Sequence, residues 1–197
     1  MGSLAQDPFS SFVRVLASQE GYADFVETGT YLGGTARWAA DVFSRVLTVE
    51  INPKFQQQAR EICADRNNIS FFVGRAEERL PEMLRSLQGP AVFWLDAHAG
   101  GGWYGDKDDC PLLAELRLIT ARDVVDDFVI IDDARGFTAP PPPPWDPDVW
   151  PPIRSVLDAI DPRRERYVVV IADAIVCAPM RLRRTVIDFC SKVRPTI

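Results

Sequence analysis

Short apolar runs alternate with amphipathic segments along almost the whole chain. The apolar runs carry no polar face and predict buried strands, whereas the segments between them repeat their apolar residues at helical spacing. The predicted strands are 23–28, 45–51, 69–74, 91–97 and 127–134, and the predicted helices are 35–43, one that begins at Pro53, 77–87, 111–124 and 152–160. Buried strands separated by helices favour a parallel sheet covered by helices on both sides.

The end of the chain departs from this alternation. Residues 166–179 contain two apolar runs on either side of Ala172-Asp173, with no room for a helix between them. They predict an antiparallel hairpin. The expected fold is therefore α/β: a doubly wound, mostly parallel seven-stranded sheet with a C-terminal antiparallel hairpin. Without an internal repeat or a linker, residues 1–197 are expected to form a single domain.

Composition narrows the function classes. The 197 residues carry a formal net charge of −6, and a nucleic-acid-binding surface would need a basic excess. The four cysteines lack C-x-x-C spacing, which predicts free thiols in a reducing compartment. No apolar run approaches the ~20 residues that a membrane span needs, and the first residues do not follow a signal-peptide pattern. We expect a cytoplasmic protein that binds neither nucleic acid nor membrane.

The link between the first strand and the first helix is rich in glycine. Gly29, Gly33 and Gly34 allow a tight turn, but Tyr31 stands where a dinucleotide-binding motif has its second glycine. This spacing disfavours a nicotinamide- or flavin-dependent enzyme. Glu50 ends the second strand about twenty residues after the turn, where a carboxylate can accept hydrogen bonds from both hydroxyls of a ribose. The two features together predict a site for a nucleoside-containing cofactor.

An ordered set of motifs follows the predicted strands. Glu27-Thr28-Gly29 with Gly33-Gly34 is followed by Glu50, and then by VGRAEERL (73–80), WLDAH (94–98) and IIDDAR (130–135). This set resembles the class I S-adenosylmethionine-dependent methyltransferases, whose sheet also ends in a strand hairpin. The resemblance runs from about residue 23 to residue 179.

The resemblance implies where the cofactor lies. Glu27 and Gly29 would lie beside its methionine part, Glu50 on its ribose, and Arg75 and Ala76 beside its adenine. Many relatives have an acid where this chain has Arg75, and a guanidinium cannot accept a hydrogen bond from the adenine amino group. That contact is left open. The expected cofactor-binding residues are Glu27, Thr28, Gly29, Thr30, Gly33, Glu50, Arg75, Ala76 and Asp96.

Three aspartates follow neighbouring strands of the predicted sheet. Asp96 ends the fourth strand, and Asp132 and Asp133 end the fifth, so their carboxylates are expected to converge. A hard divalent cation, most plausibly Mg²⁺, would relieve their repulsion. The layout resembles metal-dependent small-molecule O-methyltransferases, in which the residue two positions after the first aspartate serves as general base. That residue here is His98, the only histidine. The alternatives are a structural histidine, and an ion pair of Arg135 with Asp132 or Asp133 without a metal.

Two segments could form the walls of a substrate pocket. Residues 100–113 are glycine-rich and then aromatic, and the proline-rich stretch 139–152 contains Trp145 and Trp150. These tryptophans could stack on a substrate or attach the loop to the body of the protein. The sequence thus predicts an enzyme that transfers a methyl group from S-adenosylmethionine to a hydroxyl of a small molecule. The alternative is an inactive cofactor-binding module with the same fold, and the oligomeric state is open.

Overall fold

The structure, a computed structural model, describes residues 4–98, 110–139 and 147–193. Within these ranges the strands are β1 (Asp24–Thr28), β2 (Arg45–Glu50), β3 (Ile69–Val73), β4 (Ala91–Leu95), β5 (Phe128–Ile131), β6 (Arg166–Ile171) and β7 (Ala174–Pro179). The helices are α1 (Phe9–Ser18), α2 (Gly34–Ala40), α3 (Pro53–Ile62), α4 (Ala76–Ser86), α5 (Leu112–Thr120), α6 (Ala134–Thr138), α7 (Ile153–Ile160) and α8 (Arg183–Lys192), with a 3₁₀ turn at Met180–Leu182.

The strands form one sheet in the order β3-β2-β1-β4-β5-β7-β6. The first five are parallel, and β7 pairs antiparallel with both β5 and β6. The expected doubly wound sheet with a C-terminal hairpin is confirmed.

The core occupies both faces of the sheet. Alternate residues of β4 point to opposite faces: Phe93 and Leu95 pack with α4, α5 and α7, whereas Val92 and Trp94 pack with α1, α2 and α8. All four are nearly inaccessible to solvent. This explains why the inner strands show no polar face, since β1, β2, β4, β5 and β7 bury both of their sides, whereas the edge strands β3 and β6 are only partly buried.

The five helices predicted above do not include α1, α6 or α8. Helix α1 buries Phe9, Phe12, Val13 and Leu16, which follow helical spacing. Helix α6 begins at Ala134, the last position that the prediction gave to the fifth strand. Strand β5 ends at Ile131 because the backbone turns at Asp133, where φ is 52° in the left-handed region. The predicted end of that strand at 134 is therefore wrong.

The carboxyl ends of the central strands lie level with one another. The ladder continues one residue beyond the strands: Asp96 N–H donates to the Thr28 carbonyl at 3.0 Å, and Asp132 N–H donates to the Leu95 carbonyl at 3.1 Å. The residues following β1, β2, β4 and β5 therefore share one edge, which is where ligands bind in open α/β sheets. None of the helices in the described ranges is long and apolar enough to cross a membrane.

Candidate active site

The glycine turn after β1 presses against the end of β4. Gly29 has φ +90°, and a Cβ there would lie 2.3 Å from the backbone oxygen of Asp96. Gly33 has φ +80°, and a Cβ there would lie 2.9 Å from the Cβ of Ala59 in α3. No side chain fits at Gly29, because the obstacle is backbone. The turn and the Asp96 peptide are thus held in direct contact.

A chain of buried hydroxyls supports Glu27. The Thr48 hydroxyl donates to Glu27 Oε2 at 2.5 Å and lies 2.5 Å from the Thr30 hydroxyl. Burial raises the pKa of Glu27 to about 8, the hydrogen bond from Thr48 opposes this rise, and the charge of Glu50 adds to it. A cationic ligand group placed beside Glu27 would favour its charged form.

Glu50 is anchored by the backbone on both oxygens. Oε2 accepts the Tyr31 N–H at 2.7 Å, and Oε1 accepts the Asn52 N–H at 2.9 Å. Each carboxylate oxygen can accept a second hydrogen bond, so the group retains capacity for a diol. The adjacent Ile51 is 42% exposed, an apolar surface beside the carboxylate that the sequence analysis did not single out. The sequence signal that could have identified Ile51 is its position as an apolar residue directly after the acid that ends the strand.

The start of α4 carries the residues expected near adenine. Ala76 is the first residue of the helix and is buried, and the Arg75 Nε lies 2.5 Å from Glu77 Oε1. Glu77 therefore brings a carboxylate to the place where Arg75 lacks one. Glu77 was not predicted, because it lies one residue beyond the pair expected beside the adenine.

A further buried carboxyl group comes from α5. Glu115 is 1% exposed, and its Oε1 has no hydrogen-bond partner among the described residues. Burial raises the pKa of Glu115 to about 7. Glu115 also contributes to the electrostatic field at Asp96. It was not predicted, although its spacing from Leu112, Leu116 and Ile119 puts it on the buried face of α5.

Acidic groups are crowded at the ends of β4 and β5. The pKa of Asp96 is raised well above its usual value, first by burial and then by the charges of Asp132, Asp133 and Glu27. Burial also raises the pKa of Asp132 to about 6. Asp133 differs, because contact with His98 lowers its pKa and Arg135 adds to the effect.

The structure brings together two of the three aspartates expected to bind a metal. Asp96, His98 and Asp133 each offer one ligand atom, and these atoms all lie within 4.8 Å of one another. Asp132 is outside this group, and its Oδ1 accepts the Asp133 N–H at 2.8 Å. The left-handed turn at Asp133 gives the two consecutive aspartates different surroundings. His98 thus stands where the prediction had Asp132.

His98 lies in an aromatic setting. Its side chain is 2% exposed, and its ring makes edge contacts with Phe137 and Trp150 at centroid distances of 5.4 Å and 5.2 Å. Nε2 lies 3.5 Å from Asp133 Oδ2 but has no hydrogen-bond partner among the described residues. An unsatisfied buried polar atom costs roughly 1–3 kcal/mol. The site is therefore suited to receive a further group at this nitrogen.

Arg135 contacts Asp133 from the solvent side. Its Nη2 lies 2.5 Å from Asp133 Oδ1, and its guanidinium also pairs with Asp173. The ion pair considered from the sequence is thus formed with Asp133, through one oxygen only. Oδ2 faces His98.

The two segments expected to wall the pocket are partly outside the described residues. Trp145 lies there, as do the aromatic residues of the 100–113 segment, Trp103 and Tyr104. Trp150 is 8% exposed and packs against Phe137 and His98. Of the two roles considered for it, the described contacts match attachment of the loop to the body of the protein.

Comparison with known proteins identifies the fold. No family model and no curated protein sequence matches the chain. Among solved structures, the O-methyltransferase TomG from Streptomyces achromogenes, in complex with S-adenosylmethionine, superimposes with a TM-score of 0.60 at 18% identity, covering 88% of this chain and 80% of that one.

Two other solved structures give the same result. An O-methyltransferase from Bacillus cereus with S-adenosylhomocysteine gives a TM-score of 0.61 at 18% identity, covering 88% of this chain and 82% of that one. The Podospora anserina methyltransferase PaMTH1, also bound to S-adenosylhomocysteine, gives 0.57 at 19% identity, covering 85% and 75%. The fold is that of the Rossmann-like methyltransferases.

Proposed function

We propose that residues 1–197 form one S-adenosylmethionine-dependent methyltransferase domain that methylates a hydroxyl of a small molecule. The observation that carries the proposal is that two groups of residues lie at the same edge of the sheet, where the parallel strands end. The glycine turn and Glu50 form one group, and the cluster of Asp96, His98 and Asp133 forms the other. Solved structures of this fold bind S-adenosylmethionine or its product, which agrees with the proposal.

The residues of the first group fit the cofactor. Glu50, held by two backbone N–H groups, would accept the ribose hydroxyls, and Ile51 would cover one face of the adenine. Glu27 and Asp96 would lie beside the methionine part, whose ammonium and sulfonium are both cationic. The remaining residues assigned to cofactor binding are Thr28, Gly29, Thr30, Gly33, Arg75 and Ala76.

The second group fits activation of the acceptor. In the reaction, the acceptor oxygen attacks the methyl carbon, the carbon–sulfur bond breaks to leave a neutral thioether, and the hydroxyl proton passes to a base. A divalent metal bound at this group would make a coordinated hydroxyl more acidic. Asp96 and Asp133 are the carboxylate ligands in this proposal. The sequence-based hypotheses that Asp132 is a third ligand and that His98 is the base both stay open to test.

The proposed cofactor site is tested by measuring the binding of the cofactor product. S-Adenosylhomocysteine should bind the full chain in isothermal titration calorimetry and raise its melting temperature, whereas NAD should not. Glu50→Gln should weaken this binding by about 10- to 100-fold, because an amide repels one of the donors that a carboxylate accepts. Glu61→Gln is the matched control, because Glu61 lies on the exposed face of α3. Its side chain accepts a hydrogen bond from Gln57 and from no other described residue.

The reaction is tested separately. Incubation with S-adenosylmethionine and a panel of polyhydroxylated small molecules should release S-adenosylhomocysteine, detected by mass spectrometry, together with a methylated acceptor. A chain that binds S-adenosylhomocysteine yet methylates nothing across broad panels and added metals would favour the inactive binding module. Failure to bind the cofactor at all would overturn the proposed function.

A further inference from the structure

We infer that Asp96, His98 and Asp133 form a mixed nitrogen–oxygen site for a first-row transition-metal dication, with His98 Nε2 as a ligand. The inference rests on the proposed function, because the metal would serve the methyl transfer described there. It changes the expected metal from Mg²⁺ to an ion that accepts imidazole, and it replaces Asp132 by His98 in the ligand set.

The spacing of the ligand atoms fits a coordination shell. Bonds of about 2.1 Å place neighbouring ligands about 3.0 Å apart at octahedral angles and about 3.4 Å apart at tetrahedral angles. The observed 3.5 Å between His98 Nε2 and Asp133 Oδ2 is close to these values. The third ligand atom, from Asp96, lies within 4.8 Å of both. An inward movement of these side chains would bring the three atoms to bonding distance of one ion and leave its remaining positions for water or substrate.

The buried nitrogen points to a ligand independently of the acids. His98 is 2% exposed, and its Nε2 faces the cluster without a hydrogen-bond partner in the described part of the chain. Phe137 and Trp150 hold the ring from two sides. Buried polar atoms are nearly always well hydrogen-bonded, so a nitrogen whose nearest acceptor, Asp133 Oδ2, lies 3.5 Å away indicates a further partner.

The surroundings of Asp133 and Asp132 favour His98 over a third aspartate. Arg135 contacts Asp133 Oδ1 and leaves Oδ2 for the ion, as the outer partners of metal-binding carboxylates commonly do. Asp132 instead accepts the Asp133 N–H and lies outside the group. Imidazole favours ions such as Mn²⁺, Fe²⁺, Co²⁺ and Zn²⁺, whereas Mg²⁺ strongly prefers oxygen. Nε2 cannot both bind the ion and accept the substrate proton.

The test uses the metal-free full chain, titrated separately with Co²⁺, Mn²⁺ and Mg²⁺. We expect Co²⁺ and Mn²⁺ to bind more tightly than Mg²⁺, and bound Mn²⁺ to show nitrogen modulation in its pulsed electron paramagnetic resonance spectrum. His98→Phe keeps an aromatic ring against Phe137 and Trp150 but removes the nitrogen. It should lower Co²⁺ affinity by about 100-fold, at the upper end of losses seen even for outer partners.

Asp132→Asn is the matched control for the alternative ligand set, and it should lower Co²⁺ affinity by no more than about 10-fold, because Asp132 acts through its charge and its hydrogen bond to the Asp133 N–H rather than as a ligand. Loss of binding in Asp132→Asn but not in His98→Phe would overturn the inference in favour of three aspartates. Absence of nitrogen modulation in the unsubstituted chain, or no binding of any of the three ions, would overturn it as well. S-Adenosylhomocysteine binding, measured on the same samples, separates this failure from failure of the proposed function.

Discussion

Under the proposed function, the carboxyl edge of the sheet has a cofactor half, with the glycine turn, Glu27 and Glu50, and an acceptor half, with Asp96, His98 and Asp133. The two halves differ in how completely their ionisable side chains are satisfied. On the cofactor half, Glu50 receives two backbone N–H groups and Glu27 receives the Thr48 hydroxyl. On the acceptor half, Asp96 lies near like charges, and a histidine nitrogen lies buried without a hydrogen-bond partner among the described residues.

This difference indicates which half is organised before its ligand arrives. Groups fixed by backbone N–H and by buried hydroxyls keep their geometry with or without a cofactor. Crowded carboxylates and an unpaired imidazole are instead stabilised when a cation enters. We therefore expect substitutions on the acceptor half to affect chemistry or metal binding, and those on the cofactor half to affect cofactor affinity and folding.

The largest expected effect comes from His98→Gln. Turnover should fall by about 10²- to 10⁴-fold, whether the imidazole is the base or a metal ligand, because both roles lower the barrier of the transfer step. Affinity for S-adenosylhomocysteine should change less than about threefold. Steady-state kinetics and calorimetry on the same preparation would measure both. Full activity in the variant would show that His98 has a structural role, and it would contradict the expectation that substitutions on the acceptor half affect chemistry.

Gly29→Ala should affect both halves through folding. The added methyl group would meet the Asp96 carbonyl, and the left-handed φ adds strain, so we expect a loss of roughly 3 kcal/mol or more in unfolding free energy. Gly21→Ala is the control, because Gly21 also has a positive φ but its Cβ position is open, and about 1 kcal/mol is expected there. Urea denaturation would compare them. Equal losses would contradict the close contact.

Glu27 gives the cofactor half a dependence on pH. Its pKa is about 8 in the folded chain against 4.5 for the ordinary group, so the folded state holds the proton over that interval. This contribution to stability is fully present below about pH 4.5 and is lost as pH rises through about 8. Glu27→Gln should remove this dependence, so its unfolding free energy relative to the parent should rise by roughly 4 kcal/mol between about pH 5 and pH 8.5.

Denaturation of parent and variant at several pH values is the measurement for Glu27. The sign is the informative part, because a Glu27 that is charged at neutral pH would show no such rise. Thr48→Val removes the hydrogen bond that opposes the rise in the pKa of Glu27. In this variant the loss of stability with rising pH should therefore occur at a higher pH than in the parent.

The smallest effect is expected from Arg135→Gln. The guanidinium is 66% exposed, and exposed ion pairs contribute little, so unfolding free energy should change by no more than about 0.5 kcal/mol. Metal affinity should change less than about threefold, because the loss of the partner that orients Asp133 is offset by the loss of a positive charge beside the ion. A fall in stability with unchanged metal affinity would make this pair a structural link between Asp133 and Asp173.

The sequence was sufficient for the fold and for the edge on which the site lies. Strands that bury both faces are recognisable, and parallel strands bring their carboxyl ends together, so Glu50, Asp96 and Asp133 could be placed from the pattern. The helix α1 was missed although Phe9, Phe12 and Leu16 follow helical spacing. Its end of the chain was considered only for targeting signals.

The contacts of the site could not be predicted in the same way. The packing of His98 between Phe137 and Trp150 joins residues from three separate segments, and nothing local in the sequence encodes it. The separation of Asp132 from Asp133 depends on the left-handed φ at Asp133. No residue type at that position requires such a conformation, so it could not be predicted from the sequence. The role of Glu77 depends on its contact with Arg75, whereas Glu115 already follows the apolar spacing of α5 in the sequence.

The contact between Gly29 and the Asp96 carbonyl has a mechanical consequence. The turn that would hold the methyl donor and the peptide that carries a residue of the acceptor cluster meet without any intervening side chain. Backbone transmits a displacement far more stiffly than a flexible side chain does. If cofactor binding shifted the turn by a few tenths of an ångström, the Asp96 peptide would have to move with it. The distance between donor and acceptor is then set by the main chain.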